Sequence, residues 1–260
     1  MDDNPVLVRE AAPGVKLVAL NRPAALNALN TGMGEALLEI WTDLAADASL
    51  RAVVMTGEGK AFCAGADLKE RNGMTDQAWS DQHLIFEAMI RAQLALPVPI
   101  LAAVQGAAMG GGAELALACD FTWAATGAKF AMPEVKLGIM PGLGGPALLA
   151  RAVGERAALE LLTSGRVVEA PEALSLGLVS RVCAPETLVV EAVALAAQIA
   201  ANAPLSVRAL KSSVRAGMAL PLDAAMELEL KEYNRLFKTA DRREGVGAFN
   251  ERRTPQFQGR

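Results

Sequence analysis

Three consecutive glycines, Gly110–Gly112, follow a short apolar segment and precede a helix-forming one, and this arrangement constrains the fold most strongly. The apolar run Pro99–Val104 predicts a strand that enters a turn at Gly106. An Ala- and Leu-rich helix is predicted to start near Ala113. Glycine lets a ligand approach the main chain, and free N–H groups at a helix N-terminus suit a developing oxyanion. Tight packing of the helix on a sheet explains the glycines equally well.

The segments before Gly145 repeat an order of strand, turn and helix. The helical pattern that begins at Asn30 has Asn30 or Thr31 as its N-cap, and a second helix is predicted over Gln77–Leu94. Short apolar segments predict further strands at Val15–Leu20, Ala52–Thr56, Phe121–Ala124 and Lys129–Met132. This alternation favours an α/β fold with covered sheets.

Beyond Gly145 the pattern changes, and the C-terminal third of the chain is predicted to be almost all helix. Helices are predicted over Glu155–Leu162, Pro171–Leu176, Glu186–Asn202, Ser206–Arg215, Asp223–Phe237 and Asp241–Glu251. Their Leu, Met and Ala faces are too apolar to remain in water, so we expect them to pack against another subunit. The sequence therefore predicts an α/β core over residues 1–200 and a helical oligomerisation region over residues 201–260.

Composition and charge narrow the class of protein. A hydrophobic fraction of 52% and a charged fraction of 21% exclude disorder, and prolines interrupt the apolar runs before they reach membrane-spanning length. The net charge of −4 has no basic stripe, so we expect no nucleic-acid partner. Met1–Pro5 lacks the features of a secretory signal, and Cys63, Cys119 and Cys183 are odd in number and widely spaced. We therefore expect a cytoplasmic protein without membrane association.

Two glutamates stand close to the glycine-rich segments. Glu114 falls in the first turn of the predicted helix, where a carboxylate would interact favourably with the helix dipole. Its neighbours are apolar, so a carboxylate there is costly unless it has a role. Glu134 lies between Pro133 and Val135, and the alternative role for its carboxylate is to cap a turn. Two positioned carboxylates can hold one water and divide the proton transfers of its addition to a conjugated double bond.

At these residues the chain resembles an enoyl-CoA hydratase of the crotonase family. The resemblance runs from about Val15 to Arg260 and rests on AFCAGADLK (Ala61–Lys69), GAAMGGGAELALACD (Gly106–Asp120) and the glutamate of MPEVKLGIMPGLGG. It implies the crotonase fold, which is ClpP-like: a ββα superhelix core with a C-terminal helical region. In that family the helical region builds trimers that often pair into hexamers.

The resemblance also implies a reaction and a site. The reaction is reversible syn hydration of a trans-2-enoyl-CoA to a 3-hydroxyacyl-CoA, with no metal and no redox cofactor. The backbone N–H groups of Ala66 and Gly111 form the oxyanion hole, Glu114 polarises the water and Glu134 delivers the α-proton. The residues implied for substrate binding are Ala66, Asp67, Leu68, Lys69, Gly111 and the backbone of Gly142.

Three alternatives stay open within this resemblance. One is a Δ3,Δ2-enoyl-CoA isomerase, and another, suggested by ADLKER (Ala66–Arg71), is a methylglutaconyl-CoA hydratase-like enzyme. The third is a non-catalytic protein that binds acyl-CoA or RNA. A serine peptidase of the related fold is excluded because His83 is the only histidine and no serine stands in a matching strand-to-helix setting.

Two features bear on efficiency and selectivity. Where many hydratases read GGTQRL, this chain has Gly144–Leu149, so Pro146, Ala147 and Leu148 replace polar residues and remove side-chain hydrogen bonds near the water site. The segment Glu70–Met89 is predicted to form the acyl-pocket wall, with His83 on the surface or in that pocket. The sequence leaves the chain length and branching of the acyl group open.

Overall fold

Two sheets form the framework of the protein in the computed structural model, which describes residues 4–260. The main sheet has six strands in the order β1-β2-β3-β4-β6-β9, parallel except for the β1–β2 pair. A smaller sheet has the order β5-β7-β8. The strands are β1 Val6–Ala12, β2 Val15–Leu20, β3 Ala52–Gly57, β4 Ile100–Val104, β5 Ala107–Met109, β6 Phe121–Ala125, β7 Lys129–Ala131, β8 Val168–Glu169 and β9 Arg181–Cys183.

Eleven α-helices are present within residues 4–260. They are α1 Thr31–Ala46, α2 Leu68–Arg71, α3 Asp76–Ala95, α4 Gly111–Ala118, α5 Gly145–Val153, α6 Glu155–Ser164, α7 Ala170–Ser175, α8 Leu188–Ala200, α9 Pro204–Gly217, α10 Leu222–Leu236 and α11 Ala240–Asn250. Two short 3-10 turns, Pro23–Ala25 and Glu134–Leu137, complete the regular structure of this part of the chain.

Successive turns of the chain are superposed as a superhelix. In one turn, β4 in the main sheet leads to β5 in the small sheet and then to α4. In the next turn, β6 leads to β7 and onwards to α5. Parallel bridges from Cys63 to Ala108 and from Leu29 to Ala66 continue the small-sheet layer into the preceding turns. The backbone segments that follow the main strands are thereby brought side by side.

Both faces of the main sheet are buried, as the α/β prediction requires. Side chains alternate along β3: Val53 and Met55 point into the core beside α1, α3 and α4, whereas Val54 points to the opposite core beside α8. Strand β4 alternates in the same way, with Ile100 on one face and Leu101 on the other. Central parallel strands covered on both sides read as continuous apolar runs, which is why the sequence identified them.

Most predicted elements are confirmed, and the differences have physical reasons. The N-cap of α1 is Asn30, whose side chain accepts a hydrogen bond from the Met33 N–H at 3.0 Å. Helix α4 begins at Gly111, two residues before the predicted start. The region after Gly145 is not helical throughout, because it contains β8 and β9. Elements β1, β5, α2 and α5 were not predicted from the sequence either; several of them are too short to show a period.

The C-terminal helices differ from the core in how much they bury. Helix α8 packs on the main sheet, whereas α10 packs mainly on α9 and has no buried residue. The proposed division at residue 200 stays a prediction. Within residues 4–260 no single helix is long and apolar enough to cross a membrane; α8 and α9 reach that length and composition only as a pair bent by 107°.

Candidate active site

A cleft of about 620 Å³ lies where the small-sheet layer meets α3 and the loop before α5. It is lined by backbone from the glycine-rich segments, by two glutamates and by a wall of apolar and aromatic side chains. The predicted site residues that line it are Ala66, Leu68, Gly111, Glu114, Glu134 and Gly142. The superhelix therefore brings together six residues from four separate segments of the chain.

The N–H group of Ala66 is left free by the bridge that holds its segment. In the parallel bridge, Leu29 donates to the Gly65 carbonyl at 2.8 Å, and its carbonyl accepts from the Asp67 N–H at 2.9 Å. A parallel bridge uses the groups on either side of the central residue, so the N–H of Ala66 points away from Leu29. No acceptor for it is found within residues 4–260.

The N–H group of Gly111 is free because it belongs to the first turn of α4. The first hydrogen bond of this helix runs from the Glu114 N–H to the Gly110 carbonyl at 3.0 Å, so Gly111 has no intrahelical acceptor. The two N–H groups are close: a Cβ atom built on Gly111 would lie 3.9 Å from the Ala66 nitrogen. Two adjacent main-chain donors thus line one wall of the cleft.

Two of the three glycines are required by the groups packed against them. Gly110 has φ +49°, and a Cβ atom there would lie 2.6 Å from Glu134 Oε1, so a side chain would intrude on the glutamate. A Cβ atom on Gly112 would approach the Cys63 carbonyl to less than van der Waals contact. Gly112 therefore permits helix–sheet packing, while Gly110 leaves room for Glu134.

Glu114 is buried and held by the loop before α5. Its Oε1 accepts hydrogen bonds from the Leu143 N–H at 2.7 Å and from the Gly145 N–H at 2.8 Å. Burial raises the pKa of this carboxyl to about 7, although the donated hydrogen bonds oppose the rise; the charge of Glu134 adds to it. A carboxyl that titrates near neutral pH is suited to accept and release protons.

Glu134 occupies the first position of the 3-10 turn Glu134–Leu137. Its Oε2 is buried and has no hydrogen-bond partner within residues 4–260, and burial raises the pKa of the carboxyl. Both glutamates therefore favour the protonated form more than an exposed glutamate does. Among residues 4–260 no lysine or arginine forms an ion pair with either carboxylate.

The remaining predicted residues lie around this centre. Gly142 faces His83, whose Cε1 would be 2.7 Å from a Cβ atom on the glycine, and both residues line the cleft. Asp67 points to Arg22, with an ion pair of 3.0 Å, and caps α2; neither it nor Lys69 lines the cleft. The roles predicted for Asp67 and Lys69 in substrate binding stay predictions.

Other residues near the cleft were not assigned a role from the sequence. Pro146, Ala147 and Leu148 do not line it, and the side chain of Glu114 is instead held by backbone groups. Arg71 does line it; this residue lies within the segment Glu70–Met89 that was predicted to form the acyl-pocket wall, but no role of its own was assigned to it from the sequence. Within residues 4–260 no group of three or more His, Cys, Asp or Glu side chains is arranged to hold a metal ion.

Comparison with known proteins gives a consistent result. The sequence profile described as Enoyl-CoA hydratase/isomerase matches residues 10–260. The chain belongs to the enoyl-CoA hydratase/isomerase family. A "Putative enoyl-CoA hydratase/isomerase YngF" of Bacillus subtilis is 42% identical over 244 residues, 94% of either chain. The crotonyl-CoA hydratase of Syntrophomonas wolfei is 38% identical over 255 residues, 96% of this chain and 97% of that one.

A solved structure extends the match to the fold. The enoyl-CoA hydratase of Bacillus anthracis superposes with a TM-score of 0.97 at 39% identity and covers 98% of this chain and 100% of its own. The predictions of the family, the crotonase fold and an enzyme whose relatives are named as hydratases are therefore confirmed.

Proposed function

We propose that this enzyme catalyses the reversible syn hydration of a trans-2-enoyl-CoA to a 3-hydroxyacyl-CoA. One observation carries the proposal: Glu114 and Glu134 line the same cleft as the adjacent N–H groups of Ala66 and Gly111. That cleft offers two hydrogen-bond donors for a thioester oxygen and two carboxyl groups for a water molecule. The substrate thus supplies the coenzyme A, and the reaction uses no metal or redox cofactor.

The oxyanion hole acts first in this mechanism. When water adds to C3, negative charge moves through the conjugated system to the thioester oxygen, where the Ala66 and Gly111 N–H groups stabilise it. One donor of this kind contributes roughly 3–4 kcal/mol to transition-state stabilisation. The positive end of the α4 dipole, on which Gly111 lies, adds to that field.

The two glutamates divide the proton transfers. Glu114, held by the Leu143 and Gly145 N–H groups, orients the water and accepts its proton as the hydroxyl bonds to C3. In the reactive state the proton is on Glu134, which gives it to C2. The proton on Glu114 then returns to Glu134 through solvent, which restores both groups. Mutual repulsion of two nearby carboxylates favours this state with one proton between them.

The test is the loss of the conjugated enoyl-thioester absorbance when the enzyme is added to crotonyl-CoA. We expect rapid loss and formation of 3-hydroxybutyryl-CoA, identified by chromatography. A 3-enoyl-CoA serves as the second substrate. If the enzyme converts it to the conjugated 2-enoyl-CoA and does not hydrate that product, the enzyme is an isomerase instead. Turnover of neither substrate, with coenzyme A thioesters still bound, would contradict the proposal and favour a non-catalytic binding protein.

The motif ADLKER and the family description leave two related reactions as alternatives. A methylglutaconyl-CoA hydratase-like enzyme would use the same two glutamates and the same oxyanion hole on a branched acyl group. An isomerase would need only one carboxyl to move a proton through the same enolate. Glu114 is held by two backbone donors on the cleft wall, which favours hydration because that second carboxyl is then positioned for water.

Self-association is proposed for the C-terminal helices. They expose large apolar side chains at Leu210, Val214, Met218, Leu222, Met226, Leu230, Tyr233 and Phe249. Exposed apolar surface of this extent is typical of a subunit interface. We propose a homotrimer or a dimer of trimers. Sedimentation equilibrium tests this proposal by giving the molar mass of the protein in solution, and the mass of a monomer would contradict it. A cytoplasmic location, a place in fatty-acid β-oxidation and the absence of a nucleic-acid partner remain predictions.

A further inference from the structure

Arg71 is a cation that lines the active-site cleft without an ionic partner. It ends α2, and its guanidinium carbon lies 4.3 Å from the centroid of the Trp79 ring and 5.7 Å from that of Phe86. Its Nε donates to Gln82 Oε1 at 2.8 Å. The guanidinium is thereby fixed in position by one hydrogen bond and by stacking on an aromatic ring.

The nearest carboxylate does not neutralise Arg71, because other groups occupy it. Glu70 accepts hydrogen bonds from the Thr31 N–H at 3.0 Å and from Gln82 Nε2 at 2.8 Å. Gln82 therefore stands between the two charges and bonds to both. Within residues 4–260 neither Nη atom of Arg71 has an acceptor, and no carboxylate oxygen lies within ion-pair distance.

A half-buried guanidinium without an ion pair costs free energy unless a ligand supplies the missing hydrogen-bond acceptors. Burial lowers the pKa of Arg71, and the charge of Glu70 offsets that effect only in part. Apart from His83, the other titratable side chains that line the cleft are the carboxyl groups of Asp76, Glu114 and Glu134. A carboxyl group carries either no charge or a negative one, so these groups do not attract a substrate carboxylate, whereas Arg71 does. Two free Nη groups in one plane match the two oxygens of a carboxylate.

We infer that Arg71 is a specificity-determining residue that binds a carboxylate carried by the acyl group of the substrate. The inference deepens the proposed function and rests on it. The substrate class is then an enoyl-CoA derived from a dicarboxylic acid, with one carboxyl joined to coenzyme A and the other free. The aromatic wall formed by Trp79 and Phe86 would enclose the carbon chain between the two ends.

Binding of saturated analogues tests this inference without requiring turnover. Glutaryl-CoA and adipoyl-CoA present the carboxylate at two distances, and 5-methylhexanoyl-CoA and 6-methylheptanoyl-CoA replace each carboxylate by an uncharged isopropyl group of similar shape. Their affinities for wild type, Arg71→Met and Arg91→Met are measured by calorimetry, with free coenzyme A as reference. Arg91→Met makes the same chemical change on the exposed side of α3, where Arg91 pairs with Glu87.

We expect wild type to bind at least one carboxylate analogue about tenfold to a hundredfold more tightly than its isostere, the range for hydrogen bonds to a charged group. Arg71→Met should lose this preference while its affinity for the isosteres and for free coenzyme A stays the same. Arg91→Met should behave as wild type does.

Three results would overturn the inference. In the first, wild type binds neither carboxylate analogue more tightly than its isostere. In the second, Arg71→Met keeps the preference for the carboxylate analogues. In the third, Arg71→Met loses as much affinity for free coenzyme A as it loses for the carboxylate analogues. The last result would assign Arg71 to the phosphates of coenzyme A. Hydration of crotonyl-CoA by the same wild-type preparation separates this failure from failure of the proposed function, because crotonyl-CoA carries no second carboxylate.

Discussion

Each end of α4 carries a carboxylate, which is buried in Glu114 and partly buried in Asp120, and the two sites have opposite electrostatics. Beyond the C-terminal end, Asp120 accepts from the Ile100 N–H at 2.7 Å, from Lys211 at 2.8 Å and from Arg215 at 2.8 Å. In the first turn, Glu114 accepts only backbone N–H groups, and its nearest charged neighbour in the cleft is another carboxyl.

This difference teaches that a buried carboxylate is suited to proton transfer when no cation compensates for its burial. Two cations pair with Asp120, and the same contacts attach α9 to the core. Glu114 lacks a cation, so its proton can be exchanged near neutral pH. Uncompensated carboxyl groups that face a cleft are the candidates for chemistry.

The largest expected effect comes from removing the carboxyl groups of Glu114 and Glu134, near the N-terminal end of α4. Glu114→Gln and Glu134→Gln each remove one proton-transferring group, so we expect kcat for crotonyl-CoA hydration to fall by about 10²–10⁴-fold. Glutamine keeps the shape and, at position 114, an oxygen that accepts from Leu143 and Gly145. Asp120→Asn serves as the control, with kcat per folded molecule close to wild type. Normal turnover by either glutamine variant would contradict the two-carboxyl mechanism.

Asp120→Asn is expected instead to act on stability. Asparagine still accepts from the Ile100 N–H, but Lys211, whose side chain is 8% exposed, is left as a buried charge without its counter-ion. Breaking a buried pair in this way costs about 3–5 kcal/mol of unfolding free energy. Urea unfolding measures the loss. The double variant Asp120→Asn/Lys211→Met should recover part of it; if the second change deepens the loss, the pair is not the cause.

The sequence predicted the reactive end of α4 better than the structural end. Glu114 could be placed in a first turn because the glycines and the Ala- and Leu-rich run mark the helix start locally. The partners of Asp120 could not be predicted in this way, since Arg215 lies 95 positions away and meets it only after α9 folds back on the core.

The same physical limit explains what was missed in the cleft. Leu143 and Gly145 hold Glu114 through backbone N–H groups, which any residue except proline carries, so their side chains give no signal. Arg71 is the last residue of the ADLKER motif, but its orientation depends on Trp79 and Gln82 in the next helix. Strands β5 and β8 have three and two residues, and only pairing with their neighbours makes them strands.

The pH dependence of stability offers a third way to compare the two ends. Folding raises the pKa of Glu114 from 4.5 to about 7, so between these values the folded state binds more protons than the unfolded state. This contribution is complete below pH 4.5 and is lost as pH rises through about 7, by roughly 3 kcal/mol at most. Glu114→Gln removes the titration, so we expect its unfolding free energy relative to wild type to increase between pH 5 and pH 8 (about the span of the titration).

Urea unfolding at several pH values across that range checks the expected change. Glu39→Gln is the matched control, because Glu39 is exposed on α1 and has no ion pair within the described residues. A relative stability of Glu114→Gln that stays constant with pH would show that Glu114 is ionised throughout, as a structural carboxylate would be.

The smallest effect is expected from Arg215→Met, which removes one of the two cations that pair with Asp120. Arg215 donates to Asp120 at 2.8 Å and to the Ala118 carbonyl in the last turn of α4 at 3.1 Å, but its side chain is 32% exposed. Because Lys211 remains to compensate Asp120, we expect a loss of about 1–2 kcal/mol in unfolding free energy and no change in kcat. The loss should shrink at high salt, which screens this exposed ion pair more than the buried one. A variant as unstable as Asp120→Asn would show that both cations are needed, and a changed kcat would show that the two ends of α4 are coupled.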